Sequence, residues 1–255
     1  SQMMRCIDHP TMVRDGVGWG APTGVTAGFL AQNGFTGAPA LTCQGPHWQG
    51  LGQRWKLVSD THYKPYPCCR WSHPSIDAAA ELMGRHSLSY HDVASVEIKT
   101  FHNATRLAGH RPVSADEFAY SIAFPVACMI VRGQVGVQDL DILSLKDPDI
   151  LRISTATTLI DDPHLTQISD GKRWAQVSIF MRDGTRHDAD PRTPRGDTDL
   201  PLSDAEISAK FHLFADPILG AQTAAKIEAL CGRFDQLNAT EVQSLLDIIL
   251  NKPQA

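Results

Sequence analysis

The chain has 255 residues, 42% hydrophobic and 20% charged, with 28 Asp and Glu against 23 Lys and Arg and a formal net charge of −5. That is enough chain for a real core and too apolar for a disordered polymer. The charge balance, without any basic run, argues against a nucleic-acid partner, and no apolar run reaches the roughly 18 residues of a membrane span. The N-terminal SQMMRCIDHP lacks the basic-then-apolar layout of a secretion signal.

Cys6, Cys43, Cys68, Cys69, Cys128 and Cys231 are irregularly spaced and contain no C-x-x-C. This argues against a disulfide framework and a thiolate metal site, and for a reducing, cytoplasmic setting.

A Gly-rich stretch, Asp15 to Gly20, opens into a helix with Ala21, Val25 and Phe29 on one face and Gly34 as its stop. Residues 37–50 read as loop. The run from Tyr63 to Pro74 is too rich in proline for helix, but Pro74 suits a first helical position. Ile76, Ala79, Ala80 and Met83 then follow helical spacing.

Ala94, Val96, Ile98 and Thr100 alternate as in a half-buried strand. Ser114-x-x-Glu117 is a capping box, predicting one helix to about Val131, kinked at Pro125 where the bond to the Ser121 carbonyl is lost. Asp139 to Leu145 reads as a short helix and 151–160 as strand. Trp174 to Met181 is a better strand, turned at Asp183-Gly184 into Thr185–Asp188. Asp188 to Pro201 reads as a polar linker. Three helices follow: one capped by Ser203 and Glu206 with Ile207, Phe211 and Phe214 inward, one carrying Ile227, Leu230, Cys231 and Phe234, and one capped by Asn238 and Glu241.

The chemistry concentrates where Lys64, Arg70 and His73 precede a helix start with backbone N–H groups at Ser75, Ile76 and Asp77. Three potentially cationic groups beside a helix N-terminus suit an anion, most naturally a carboxylate. The other reading is a solvated basic loop with His73 as a helix-start residue. Cys68 and Cys69 read as small buried residues, and His47, His62, His102 and His110 as loop or surface residues.

The string Lys64-Pro-Tyr-Pro-Cys-Cys-Arg-Trp-Ser-His-Pro-Ser-Ile-Asp-Ala78 resembles the MmgE/PrpD family, which includes 2-methylcitrate dehydratase, cis-aconitate decarboxylase and iminodisuccinate epimerase. Met12 to Gly20 with the following Gly24–Gly37, and Leu202-Ser-Asp-Ala-Glu-Ile-x-x-Lys-Phe211, are similar to two further stretches of that family, in the same order. The resemblance implies an α+β lid domain, residues 63–199, inserted into a mainly all-α helical domain. Residues 1–62 would be part of that helical domain and 200–255 the return to it. Lys64 would fall at the hinge.

It further implies a metal- and cofactor-free lyase acting on a small polycarboxylate, of the 2-methylcitrate dehydratase kind. Decarboxylation of cis-aconitate and epimerisation of iminodisuccinate are the alternatives, as is a non-catalytic half-chain. The roles expected are acid/base catalysis for Lys64, hydrogen-bond donation or proton handling for His73, and a carboxylate clamp for Arg70. Arg14 and Ser75 would bind substrate, as would Ser121, for which helix packing is the other explanation. A homodimer is expected. Family chains are longer at the N-terminus, so a companion chain carrying the rest of the helical domain is a further expectation. Without it, 1–62 and the tail helices should expose an apolar face.

Overall fold

A computed structural model describes residues 5–12, 17–39, 45–46, 49–50, 52–53, 55, 57 and 60–250. The chain divides into two units, one ending at Thr198 and the other beginning at Asp199.

The first unit is organised around a four-stranded sheet in the order β2-β1-β3-β4. Strand β1 (Val93–Thr100) is central; it pairs parallel with β2 (Thr157–Asp161) and antiparallel with β3 (Ala175–Met181), and β4 (Arg186–Asp188) closes the edge. Val96, Ile98 and Thr100 of β1 are buried, as the alternation predicts, but Val93 is buried in place of Ala94, where the register shifts between Val93 and Ser95. The β3–β4 hairpin turns at Gly184, whose φ of 89° needs a glycine.

Helices α1 (Arg5–Asp8) and α2 (Val17–Gln32) precede the sheet, and α3 (His73–Arg85) packs on β3. Pro74 is the second residue of α3 rather than the first, because a 3-10 turn at Arg70–Ser72 runs straight into it. Ile76, Ala79 and Leu82 of α3 are wholly buried, while Ala80 and Met83 are half-buried. Burying each large side chain contributes about 1.5–3 kcal/mol.

The single kinked helix expected from Ser114 is two helices, α4 (Ala115–Ala119) and α5 (Ala123–Arg132). Ser114 caps α4 by accepting from Glu117 N at 3.2 Å, but the Glu117 carboxylate accepts from Val113 N rather than Ser114 N. Pro125 lies in the first turn of α5, where a missing N–H costs nothing, so the chain breaks before it instead of bending at it.

Residues 137–146 form two 3-10 turns, not a helix. Helix α6 (Pro148–Thr155) occupies the first half of the expected strand at 151–160. Asp147 caps it by accepting from Asp149 N and Ile150 N, and Ile150 and Ile153 face the core with helical spacing. The β-branched run there mimics a strand until β2 begins. Helix α7 (Pro163–Ile168) is capped by Asp162.

Helix α2 ends as predicted, with Gly34 at φ 84° and Phe35 N bonded to Leu30 O. Its Trp19, Val25, Phe29 and Leu30 are exposed, in line with the expected apolar face.

The second unit contains α8 (Asp204–Leu219), α9 (Ala221–Cys231) and α10 (Ala239–Leu250). The Ser203–Glu206 capping box is complete. Helix α9 stops at Cys231, so Phe234 sits in a following 3-10 turn and is exposed. Ile227, Leu230 and Leu245 make this unit's small core. Among the described residues, no helix is long and apolar enough to cross a membrane.

Candidate active site

The residues that the sequence singles out between His62 and Asp77 are held by a loop it reads as linker. Tyr63 N donates to Gly196 O at 2.9 Å. Arg70 grips the buried Asp197 with two prongs, Nε to Oδ1 at 2.7 Å and Nη2 to Oδ2. His62 Nδ1 meets the same carboxylate at 3.0 Å. Tyr66 Oη donates to Asp77 Oδ1 at 2.7 Å, and Arg195 donates to both Asp77 oxygens, from Nε and its backbone N, at 3.2 Å each. Burial, then the Asp77 charge, push the Tyr66 phenol above its ordinary range. Cys69 N donates to Ala119 O at 2.7 Å, tying the same segment to the end of α4.

The backbone bends at Cys69 through side-chain bonds. Ser72 Oγ donates to Cys69 O at 2.6 Å, which leaves its lone pairs to receive the Cys68 thiol at 3.1 Å. Burial pushes that thiol up to about 12, so Cys68 is an inert packing residue at neutral pH.

His73 is wholly buried at the start of α3, edge-on to Tyr66 with ring centroids 5.2 Å apart. Its Nε2 lies 3.2 Å from Cys68 O. A carbonyl only accepts, so Nε2 carries the proton and Nδ1 is a bare acceptor with no protein partner among the described residues. Burial first, and the charges of Lys64 and Arg70 next, push His73 down to about 3, so it is neutral. Its hydrogen-bond donor is therefore committed to the backbone.

Ser75 Oγ, also wholly buried, has no hydrogen-bond partner among the described residues. Lys64 is exposed, and its charge is felt at both Cys68 and His73. Ser121 is buried and bonds to Phe118 O at 2.9 Å. It lies against Gly109 so closely that a Cβ there would come within 2.1 Å of its own. That proximity accounts for Ser121 as packing. Arg14 lies outside the described residues.

His62, expected as a loop or surface residue, is exposed yet meets Asp197. Two further residues beside this segment carry no sequence signal: Asp197, and Arg173, just before β3, whose guanidinium stands over the rings of Trp71 and Phe101. Burial and then the Arg70 charge hold it below the usual arginine range. A groove of about 310 Å³ in the second unit, lined by Ile207, Phe211, Ile227 and Cys231 among others, contains none of the predicted residues.

The family model for the MmgE/PrpD C-terminal domain matches residues 66–236. The chain belongs to the MmgE/PrpD family. That family is of the dehydratase and lyase type. A search of curated proteins returns no match. The MmgE/PrpD match takes in Arg70, His73, Ser75 and Ser121 together with Asp77, Arg173 and Asp197, and begins two residues after Lys64.

Proposed function

We propose that this protein is a hydro-lyase of the 2-methylcitrate dehydratase kind, removing a proton beside a carboxylate of a small polycarboxylate. The observation that carries the reading is the gathering of basic side chains at one place. Lys64 and Arg70 act electrostatically on His73, and Arg70 shares the buried Asp197 with His62. A bound polycarboxylate would bring its own negative charge to these basic side chains.

In this reading Lys64 takes the proton from the carbon next to a carboxylate. The electron pair passes into that carboxylate, where the surrounding positive charge stabilises it. It then returns to form the double bond as the β-hydroxyl leaves as water, taking the proton that Lys64 removed. The charge of Arg70 attracts a substrate carboxylate, and the Ser75 hydroxyl is a further ligand. His73, fixed by Cys68 O, offers only its bare Nδ1 as an acceptor.

The reading extends to an α+β lid at 63–199 inserted into a helical domain, working as a homodimer in the cytoplasm without metal or organic cofactor. Family membership supports this extension. A second reading, favoured by the exposed apolar residues of α2, is a chain that is inactive until a companion covers them.

Incubation with 2-methylcitrate, cis-aconitate and iminodisuccinate in turn tests the proposal. Loss of water from 2-methylcitrate is expected. Turnover of one of the other two would replace dehydration by decarboxylation or epimerisation, and turnover of none, alone or with an N-terminal companion, would reject the enzyme.

A further inference from the structure

Arg173 has a setting that a surface arginine lacks. Its guanidinium carbon lies 5.7 Å from the Trp71 ring centroid and 5.5 Å from that of Phe101. The two rings meet edge to face, 5.2 Å apart, and so form a stiff shelf. Trp71 directly follows Arg70 in the chain, so the shelf brings the second guanidinium to the neighbourhood of the first.

Two arginines and two aspartates set the charge there. Arg70 and Arg173 repel one another, and Asp197 attracts both. Asp197 is already bonded to Arg70 on both oxygens and to His62 on one. Asp170 attracts Arg173 more weakly.

Arg173 is also incompletely bonded. Nη1 donates to Ser169 O at 3.1 Å and to Lys172 O, whereas Nε is shut away from water without an acceptor among the described residues. A buried donor left unpaired is costly, more so on a charged group. A carboxylate that displaced the groups covering Nε would take Nε and Nη2 side-on.

We infer that Arg173 is a second carboxylate-binding side chain of the site, seated on the Trp71–Phe101 shelf beside Arg70. The inference rests on the polycarboxylate reading and deepens it. The ligand would present one carboxylate to Arg173 while the charge of Arg70, whose Nε and Nη2 are held by Asp197, attracts a second.

Calorimetric titration of the protein with citrate, comparing wild type, Arg173→Met and Arg173→Lys, tests this. Wild-type binding is expected, with Arg173→Met weaker by about tenfold or more. Arg173→Lys keeps a charge over the rings and loses the planar fork, so it should bind citrate several-fold more weakly than wild type. If wild type binds citrate and both variants match it, Arg173 is only a brace for the rings and the inference fails alone. If wild type binds no citrate, the polycarboxylate reading itself fails.

Discussion

Arg70 and Asp197 stand 127 positions apart in the chain and are joined by two parallel hydrogen bonds. The pair fastens the segment before α3 to the loop that ends the first unit. Asp197 is only 5% exposed at its side chain and Arg70 21%, so solvent screens the pair incompletely. Asp197→Ala should therefore cost about 2–3 kcal/mol, part of it from leaving Arg70 and His62 without their acceptor. Urea unfolding of Asp197→Ala, Arg70→Ala and the double variant would give a coupling of about 1–2 kcal/mol between the two sites. Additive losses would show that the pair is not a fastening.

Lys64 offers the direct test of the acid/base assignment. It is exposed, so Lys64→Ala should leave the thermal midpoint nearly unchanged. On the hydro-lyase reading, turnover should fall by about 10²–10⁴. Steady-state rates alongside a melting curve would separate the two effects. Wild-type turnover in Lys64→Ala would remove Lys64 from the chemistry.

How much of this was legible beforehand depended on whether the signal was local. The α3 stripe, the β1 alternation, the Gly34 stop and the Ser203–Glu206 cap are each set within a few residues, and each appears in the structure. The α4–α5 break is not local in the same way, because Pro125 after the Ser114 cap suits a kink in one helix and the first turn of a second equally well. The Lys64-to-Ala78 string overlaps the start of the family match at residue 66. Asp197 was invisible because its role is to accept from Arg70 and His62 across the fold, and nothing periodic surrounds it. Arg173 likewise gains its setting only when β3 lies beside β1 and brings it over Trp71.

His73 makes stability depend on pH. Its folded value, near 3, lies below its ordinary 6.5, so between those values the unfolded chain binds a proton that the folded chain refuses. Its contribution is complete above about pH 6.5 and is lost as the pH falls toward 3. At about 1.36 kcal/mol per unit, the loss by pH 4 is on the order of 3 kcal/mol. His73→Gln keeps a side-chain N–H for Cys68 O and removes the titration. Denaturation from pH 7 to 4 should show a steeper decline for wild type than for this variant. Parallel declines would mean that His73 is not held neutral.

Gly109 controls where Ser121 and the start of α5 sit. Ile122 N donates to Leu107 O at 2.8 Å and Ala123 N to Ala108 O at 3.1 Å, so the two segments run side by side. Gly109 then turns away with φ 49°, and an added Cβ would stand 2.1 Å from Ser121 Cβ and 2.8 Å from Ser121 Cα. Neither clash involves a flexible tip that yields cheaply. Gly109→Ala should therefore cost about 2–4 kcal/mol, from the overlap and from the left-handed backbone together. Adding Ser121→Gly removes the nearer clash but leaves the one against the Ser121 backbone, and the strain at residue 109, so it should restore only part of the loss. Urea midpoints for wild type, the single variant and the double variant would measure both steps. A Gly109→Ala protein as stable as wild type would show that the two segments do not approach this closely.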